Sequence, residues 1–309
     1  MKRIIFIFLF CYSHFYSIGQ NKYDFHKYRE YLNQARMAKY NKDYMLEKKC
    51  YENAIKYMKY DEMAQIADDY STCLLNNRDT ITALKAEEEY LAIGDVAEIF
   101  SQSSMTDKFG EKYGNMIFQR FPEIQKKHDA KVTEEQKAIR KLERKDQEIR
   151  NNKNNMSEKE FNAALIYTDS ANFYDLYQLA KNKNVNPICG LMWHIYNDNK
   201  KYFPFYDSIF KARVYLGDAS PEAYVQWYDR QRIYVNGMKT QLYGEWNEND
   251  SKEFNPTEDI KNVDKRRSEL GLCSLEDYAL LHNMNLPKDY IPSKKKAAKA
   301  SLKSKKTKL

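Results

Sequence analysis

The sequence predicts a mainly α-helical protein: stacked helical hairpins, then a helical domain that carries one small β-hairpin. Three observations predict it. Nine glycines and seven prolines in 309 residues are about 5% of the chain, against roughly 12% in average usage, and so few turn residues imply long elements. Amphipathic helical patterning runs through residues 21–100. Only residues 230–243 alternate around an Asn-Gly pair as a hairpin does. The same composition argues against sandwiches, barrels and Gly-rich phosphate cradles.

Taken in order, the chain opens on Met1-Lys2-Arg3, an apolar run from Ile4 to Phe10, and small residues at Ser17 and Gly19. That is the pattern of a secretory signal peptide over residues 1–19, with a run too short to span a membrane. Cys11 follows the bulky Phe10 and lies too early for a lipid anchor. The mature chain is therefore expected in the periplasm or the extracellular space, with no transmembrane segment.

The net charge of +7 is not spread over the body. Residues 291–309 hold eight lysines and no acid. With Lys2 and Arg3 set aside as well, the remainder is near −3. The tail lacks aromatic residues for base stacking and reads as a disordered Lys-rich segment. Its expected partners are polyanions, held loosely and without specificity. The cysteines of the mature chain, Cys50, Cys73, Cys189 and Cys273, form no CxxC pair. Cys50 and Cys73 fall on neighbouring helices, where they either pair or stay as buried thiols, the reading favoured for a helical domain of this size.

Residues 20–125 read as a helical-hairpin, repeat-like domain. Asp43-Tyr44 followed by Tyr51-Glu52-Asn53-Ala54-Ile55 resembles the second helix of a tetratricopeptide repeat. The register recurs 36 residues later, with Asp79-Thr80 for Asp43-Tyr44 and Ala83 at the small-residue position. Glu47 and Tyr90 depart from that pattern.

Residues 126–290 form the second predicted domain. Its charged start carries a narrow stripe at Val132, Ile139, Leu142 and Ile149. Ser157 with Glu160 is a capping box, Ser220-Pro221 opens another helix, Gly271 ends one, and Ser274 with Asp277 begins the last. In the predicted hairpin 230–243, one face gathers Arg230, Arg232, Tyr234, Lys239, Gln241 and Tyr243. Three cations beside an amide and two phenols suit a carboxylate, phosphate or sulfate; a solvated face of cross-strand polar pairs is the plainer reading.

Several strings together are similar to the bacterial domain-of-unknown-function 6624 family. They are Tyr228-Asp229-Arg230, Gln241-Leu242-Tyr243-Gly244, Asn262 to Leu272 with its Val263-Asp264 and Arg266-Arg267, and Leu275-Glu276-Asp277-Tyr278. Upstream, Asp146-Gln147 with Arg150 and Asp169 with Asn172 also match. The resemblance covers about residues 140–283. Glu245-Trp246 stand where the family has Thr-Gln, and Val185-Asn186-Pro187 where it has Gly-Trp-Pro. Tyr196-Asn197 stand where it has Gln-His, with His194 just upstream. The resemblance implies a set of polar positions but no reaction.

The catalytic candidates are Asp146, Asp169 and Asp229, as general acid or base. The ligand-binding candidates are Arg230, Arg232, Gln241, Tyr243, Arg266 and Arg267. Each has a plain alternative: an i,i+4 ion pair for Asp146 and Arg150, a cap for Asp169 and Asn172, a buried carboxylate partner for Arg266. His26, His128, His194 and His282 show no metal-like spacing, and His194 beside Trp193 reads as a packed helix residue. No metal and no cofactor are expected, and no GxSxG, HExxH or P-loop string occurs. The leading expectation is an exported binding or interaction protein, taking a protein or peptide on its N-terminal helices or an anion at the hairpin face. The alternative is an exported hydrolase with a pocket around Asp169, Asp229, Arg230, Gln241 and Arg266.

Overall fold

A computed structural model describes residues 23–59, 63–93, 102–183, 190–194, 197–234, 237–245 and 252–292. The expected signal peptide over residues 1–19, Cys189, Asn236 and the Lys-rich segment from 293 onward lie outside these residues. The described residues hold twelve α-helices and no strand. Their only β-type pairing is in two isolated bridges, Gln241 with Thr257 and Glu253 with Asn285. None of the described helices is long and apolar enough to cross a membrane. The chain packs as two compact units divided between Ser220 and Pro221. The boundary that the sequence suggests after residue 125 lies inside the first.

Unit 1 begins with six helices: α1 (Phe25–Tyr40), α2 (Tyr44–Ile55), α3 (Met63–Asn76), α4 (Thr80–Ile93), α5 (Gln102–Phe109) and α6 (Glu111–Asp129). They pair as the hairpins α1/α2, α3/α4 and α5/α6, with α2 against α3 and α4 against α6. The α1–α2 and α3–α4 turns are alike. Lys42 and Arg78 take left-handed φ values of 59° and 61°. The carboxylates of Asp43 and Asp79 accept the backbone N–H groups of Leu46 and Thr82, three residues on. Asp43 N–H donates to Ala38 C=O and Asp79 N–H to Leu74 C=O, each at 2.9 Å. The 36-residue register read from the sequence is thus a recurring hairpin turn.

Tyr28, Leu32, Tyr51, Ile66, Leu74, Leu84 and Ile117 share the core of these hairpins. Cys50 and Cys73 are free thiols within it. Glu47 occupies the buried slot that Ala83 fills one repeat later, and burial pushes its carboxyl up. Where α5 meets α6, a Cβ on Gly114 would lie 2.7 Å from the Thr106 backbone; only glycine permits that approach.

The charged segment after residue 126 is not one helix. It breaks at 130–133 between α6 and α7 (Glu134–Asn151), because Thr133 and Gln136 form a reciprocal capping box. Ile139, Leu142 and Asp146 are its buried face. Ser157 and Glu160 cap α8 (Glu158–Lys183) as expected. A 3₁₀ turn, Gly190–Trp193, another at Asn197–Tyr202, and α9 (Phe203–Leu216) complete unit 1.

Unit 2 contains α10 (Pro221–Tyr234), α11 (Val263–Glu269) and α12 (Leu275–Leu281). The expected hairpin at 230–243 does not form, because Arg230 to Tyr234 are the last turn of α10. Tyr224, Val225, Trp227 and Gln231 are buried along one helical side, so the packing period is that of a helix through residue 231. Gly237, at φ 66°, then serves the helix exit, where Met238 N–H bonds Arg232 C=O at 3.0 Å. A glycine after Asn suits a left-handed helix terminus as well as a type I′ turn. The polar face proposed for 230–243 does not form, since Arg230, Arg232 and Tyr234 are helical while Gln241 and Tyr243 lie in the following loop.

Candidate functional site

Unit 1 gathers charged side chains from three separate segments. On α7, Asp146 and Arg150 are one turn apart and share a face. Arg150 Nε donates to Asp146 Oδ1 and Oδ2 at 3.1 and 3.0 Å. The far end of the same guanidinium reaches Asp169 on α8, with Nη2 at 3.2 Å from Oδ1 and 3.4 Å from Oδ2. Asn172, one turn beyond Asp169, donates to Leu142 C=O at 3.2 Å and ties α8 to α7. The third segment is the 3₁₀ turn, pinned to α7 by Gly190 N–H donating to Glu143 Oε1 at 3.0 Å. It delivers His194, whose Nδ1 lies 3.0 Å from Asp146 Oδ1.

Burial is uneven across the cluster. The Asp146 and Asp169 side chains are 1% and 0% exposed, those of Arg150 and His194 28% and 27%. Burial works against an ionised Asp146. The Arg150 hydrogen bond and the His194 ring outweigh it and hold the carboxyl below the usual carboxylate range. Gln147 Nε2 donates to Asp146 Oδ2 at 2.8 Å. Oxygens of Asp146 and Asp169 and a ring nitrogen of His194 all lie within 4.8 Å of one another. His194 follows a 3₁₀ turn beside two carboxyls, where the sequence suggested a packed helix position. No spacing could reveal it, since its partners sit on two other helices.

The remaining candidates lie in unit 2, and most of them organise its backbone. The buried Asp229 carboxylate accepts four consecutive backbone N–H groups, from Leu242 at 2.6 Å, Tyr243 at 3.1 Å, Gly244 at 3.0 Å and Glu245 at 3.4 Å. Burial raises this carboxyl to about 6 against the pull of those donors. Gly244 sits at φ 79°. Gln241 donates through Nε2 to Asn255 C=O at 3.0 Å, and its backbone bonds Pro256 and Glu258. Arg232 bonds Thr240 C=O and pairs with Glu258.

Arg266 donates to the carbonyls of Leu242 at 3.0 Å and Glu258 at 2.6 Å; its expected carboxylate partner, Asp229, is taken by the backbone. Arg267, fully buried, bonds Cys273 C=O at 2.8 Å and Tyr243 C=O at 3.0 Å, and pairs with Glu245 at 2.9 Å. Burial pushes the Glu245 carboxyl up to about 7 although Arg267 opposes the shift. Glu245, read from the sequence only as a departure from the family string, is the buried partner of Arg267. Arg230 lies 5.8 Å from the Tyr234 ring on the same helix.

Two groups therefore emerge, one per unit: Asp146, Arg150, Asp169 and His194 in the first, and Asp229, Gln241, Arg266 and Arg267 with Glu245 in the second. Comparison with known proteins adds no relative. No family model, curated protein or solved structure matches this chain. The second group spends most of its hydrogen-bonding capacity on backbone groups of residues 240–245, 255–259 and 273, and on the Arg267–Glu245 pair. The first directs side chains at one another, and two of its members keep contact with solvent.

Proposed function

We propose that this is an exported hydrolase-type enzyme whose working centre is Asp146, Arg150, Asp169 and His194. The observation that carries this reading is the meeting of two buried carboxyls and an imidazole, from three segments, within 4.8 Å. Burying such groups is costly, and groups of this kind concentrate where a proton or an ion must be handled. A carboxyl pair and an imidazole at this spacing can take a proton from a water molecule and return one to a leaving group. Arg150 holds both carboxyls in place. Asp146, Gln147, Arg150, Asp169 and Asn172 are also among the positions that resemble the domain-of-unknown-function 6624 family, a resemblance that carries no reaction. The pocket first suggested around Asp229, Arg230, Gln241 and Arg266 loses its support to the loop architecture of unit 2.

The test is a screen of the purified mature chain against chromogenic carboxylic esters, phosphate mono- and diesters and glycosides. Turnover of one class is expected, with Asp169→Asn and His194→Gln each lowering kcat at least about 100-fold, the usual range for loss of a general acid or base. No turnover, or turnover in both variants equal to that of the unsubstituted chain, overturns the reading.

A second reading keeps the N-terminal helices as a peptide-binding surface. Tyr44, Met45 and Leu46 are exposed at the start of α2, Met45 by 73%. Met45, Leu46, Lys48, Lys49 and Glu52 line a shallow depression there. That mixture fits a peptide with apolar and acidic residues. Met45→Glu would abolish capture of such a peptide, and unchanged capture would remove the reading.

A further inference from the structure

We propose that Asp146, Asp169 and His194 form a binding site for one divalent transition-metal ion, with zinc the best fit. This inference deepens the hydrolase reading, on which it rests for its role though not for its geometry.

The donor set comes first. Two carboxylate oxygens and one imidazole nitrogen suit zinc better than magnesium or calcium, which take six or more oxygen ligands. Bonds of about 2.0–2.2 Å to a shared ion place its ligand atoms about 3–4 Å apart. The 3.0 Å between His194 Nδ1 and Asp146 Oδ1 already has that spacing, and the whole set lies within 4.8 Å, so the widest pair would close by up to about 1 Å to share an ion.

Burial gives a second argument. Two carboxyls, each almost wholly buried, converge with Arg150 and His194. Buried charges are paired or coordinate metals, and one divalent ion would bind both carboxyls at once.

The surroundings give a third. Arg150 holds Asp146 at both oxygens, Oδ1 at 3.1 Å and Oδ2 at 3.0 Å, Gln147 holds Oδ2 at 2.8 Å, and Arg150 also holds Asp169, so a bound ion would share these oxygens with the guanidinium. Outer partners of this kind orient metal-ligating carboxylates. Three protein ligands, with the fourth position taken by water, are the number used by zinc sites that act on substrates; the His194 side chain is 27% exposed although its Nδ1 is buried.

The experiment uses the full mature chain without a polyhistidine tag, stripped with EDTA and titrated with zinc by calorimetry. Manganese serves as a weaker comparison ion. One zinc per chain is expected. Asp169→Asn and His194→Gln should each weaken binding by more than about 100-fold, beyond the loss of an outer partner. His282→Gln, on α12's C-terminal cap in the other unit, should leave it unchanged. Where Asp169→Asn fails to fold, the partly exposed His194→Gln carries the test. Absence of binding, or binding undiminished in His194→Gln, overturns the site.

The two proposals fail separately. Zinc bound without hydrolysis of any chromogenic substrate keeps the site and overturns the enzyme reading. Hydrolysis by a chain shown metal-free by mass spectrometry keeps the enzyme reading and overturns the site.

Discussion

Removing the Asp229 carboxylate would take the acceptor from four consecutive backbone N–H groups, Leu242 to Glu245. Each buried donor left unsatisfied costs about 1–3 kcal/mol. Asp229→Ala should therefore lower stability by about 3 kcal/mol or more, read as a lower guanidinium midpoint at unchanged slope. Asp229→Asn should recover only part of this, since its NH₂ group would face N–H donors; full recovery would show that the backbone contacts carry little. The residue types alone could not separate this aspartate from Asp146 and Asp169, because all three are buried acids in resembling strings. The i,i+4 spacing of Asp146 and Arg150 disclosed their pair correctly. It could not disclose that the guanidinium also holds Asp169, or that His194 arrives from a third segment. Those contacts are tertiary, and the chain separations of Asp169 and His194 from Asp146 carry no periodic signal.

Helices, caps and turns were more legible, because their causes are local. The Asp43 and Asp79 caps, the Ser157–Glu160 box and the Ser274 cap each use residues within one turn of the helix they start. The misreading at 230–243 arose where two local signals coincide, since Asn-Gly favours both a hairpin turn and a helix exit. Burial of Tyr224, Trp227 and Gln231 on one side of α10 settled the outcome. Close helix crossings are less legible, and Gly114 illustrates why. It reads as an ordinary helical glycine, yet a Cβ there would meet the Thr106 Cα and N at 2.7 Å. Backbone cannot yield as a flexible side chain can. Gly114→Ala should destabilise unit 1 by about 3 kcal/mol, the upper part of the usual overpacking range, despite alanine's better helix propensity. An unchanged or raised melting temperature would mean that α5 and α6 separate without cost.

Across the whole molecule, the helical class was legible from composition, while the division between Ser220 and Pro221 was not, since the Ser-Pro pair marks a helix start whether or not packing breaks there. The two units also differ in how they carry buried charge. Unit 1 sets two carboxyls against Arg150 and His194; unit 2 encloses Asp229 and the Glu245–Arg267 pair. In unit 2, burial raises Asp229 to about 6 and Glu245 to about 7, from unfolded values near 4. An acid with a raised folded-state pKa binds its proton more tightly when folded. Its contribution to stability is full below the unfolded value and is lost as pH rises through the folded one. Between about pH 4.5 and 7, unit 2 should therefore lose up to about 1.4 kcal/mol per pH unit for each such proton. Hydrogen exchange of the α10–α12 amides, corrected for the intrinsic rate, should show opening free energies that fall from pH 5 to pH 7. Glu245→Gln takes the ionised partner from Arg267 but costs little stability near pH 5, where Glu245 is neutral. It should also flatten the slope by one proton, and a slope left unchanged would mean that Glu245 is already ionised in the folded protein at pH 5.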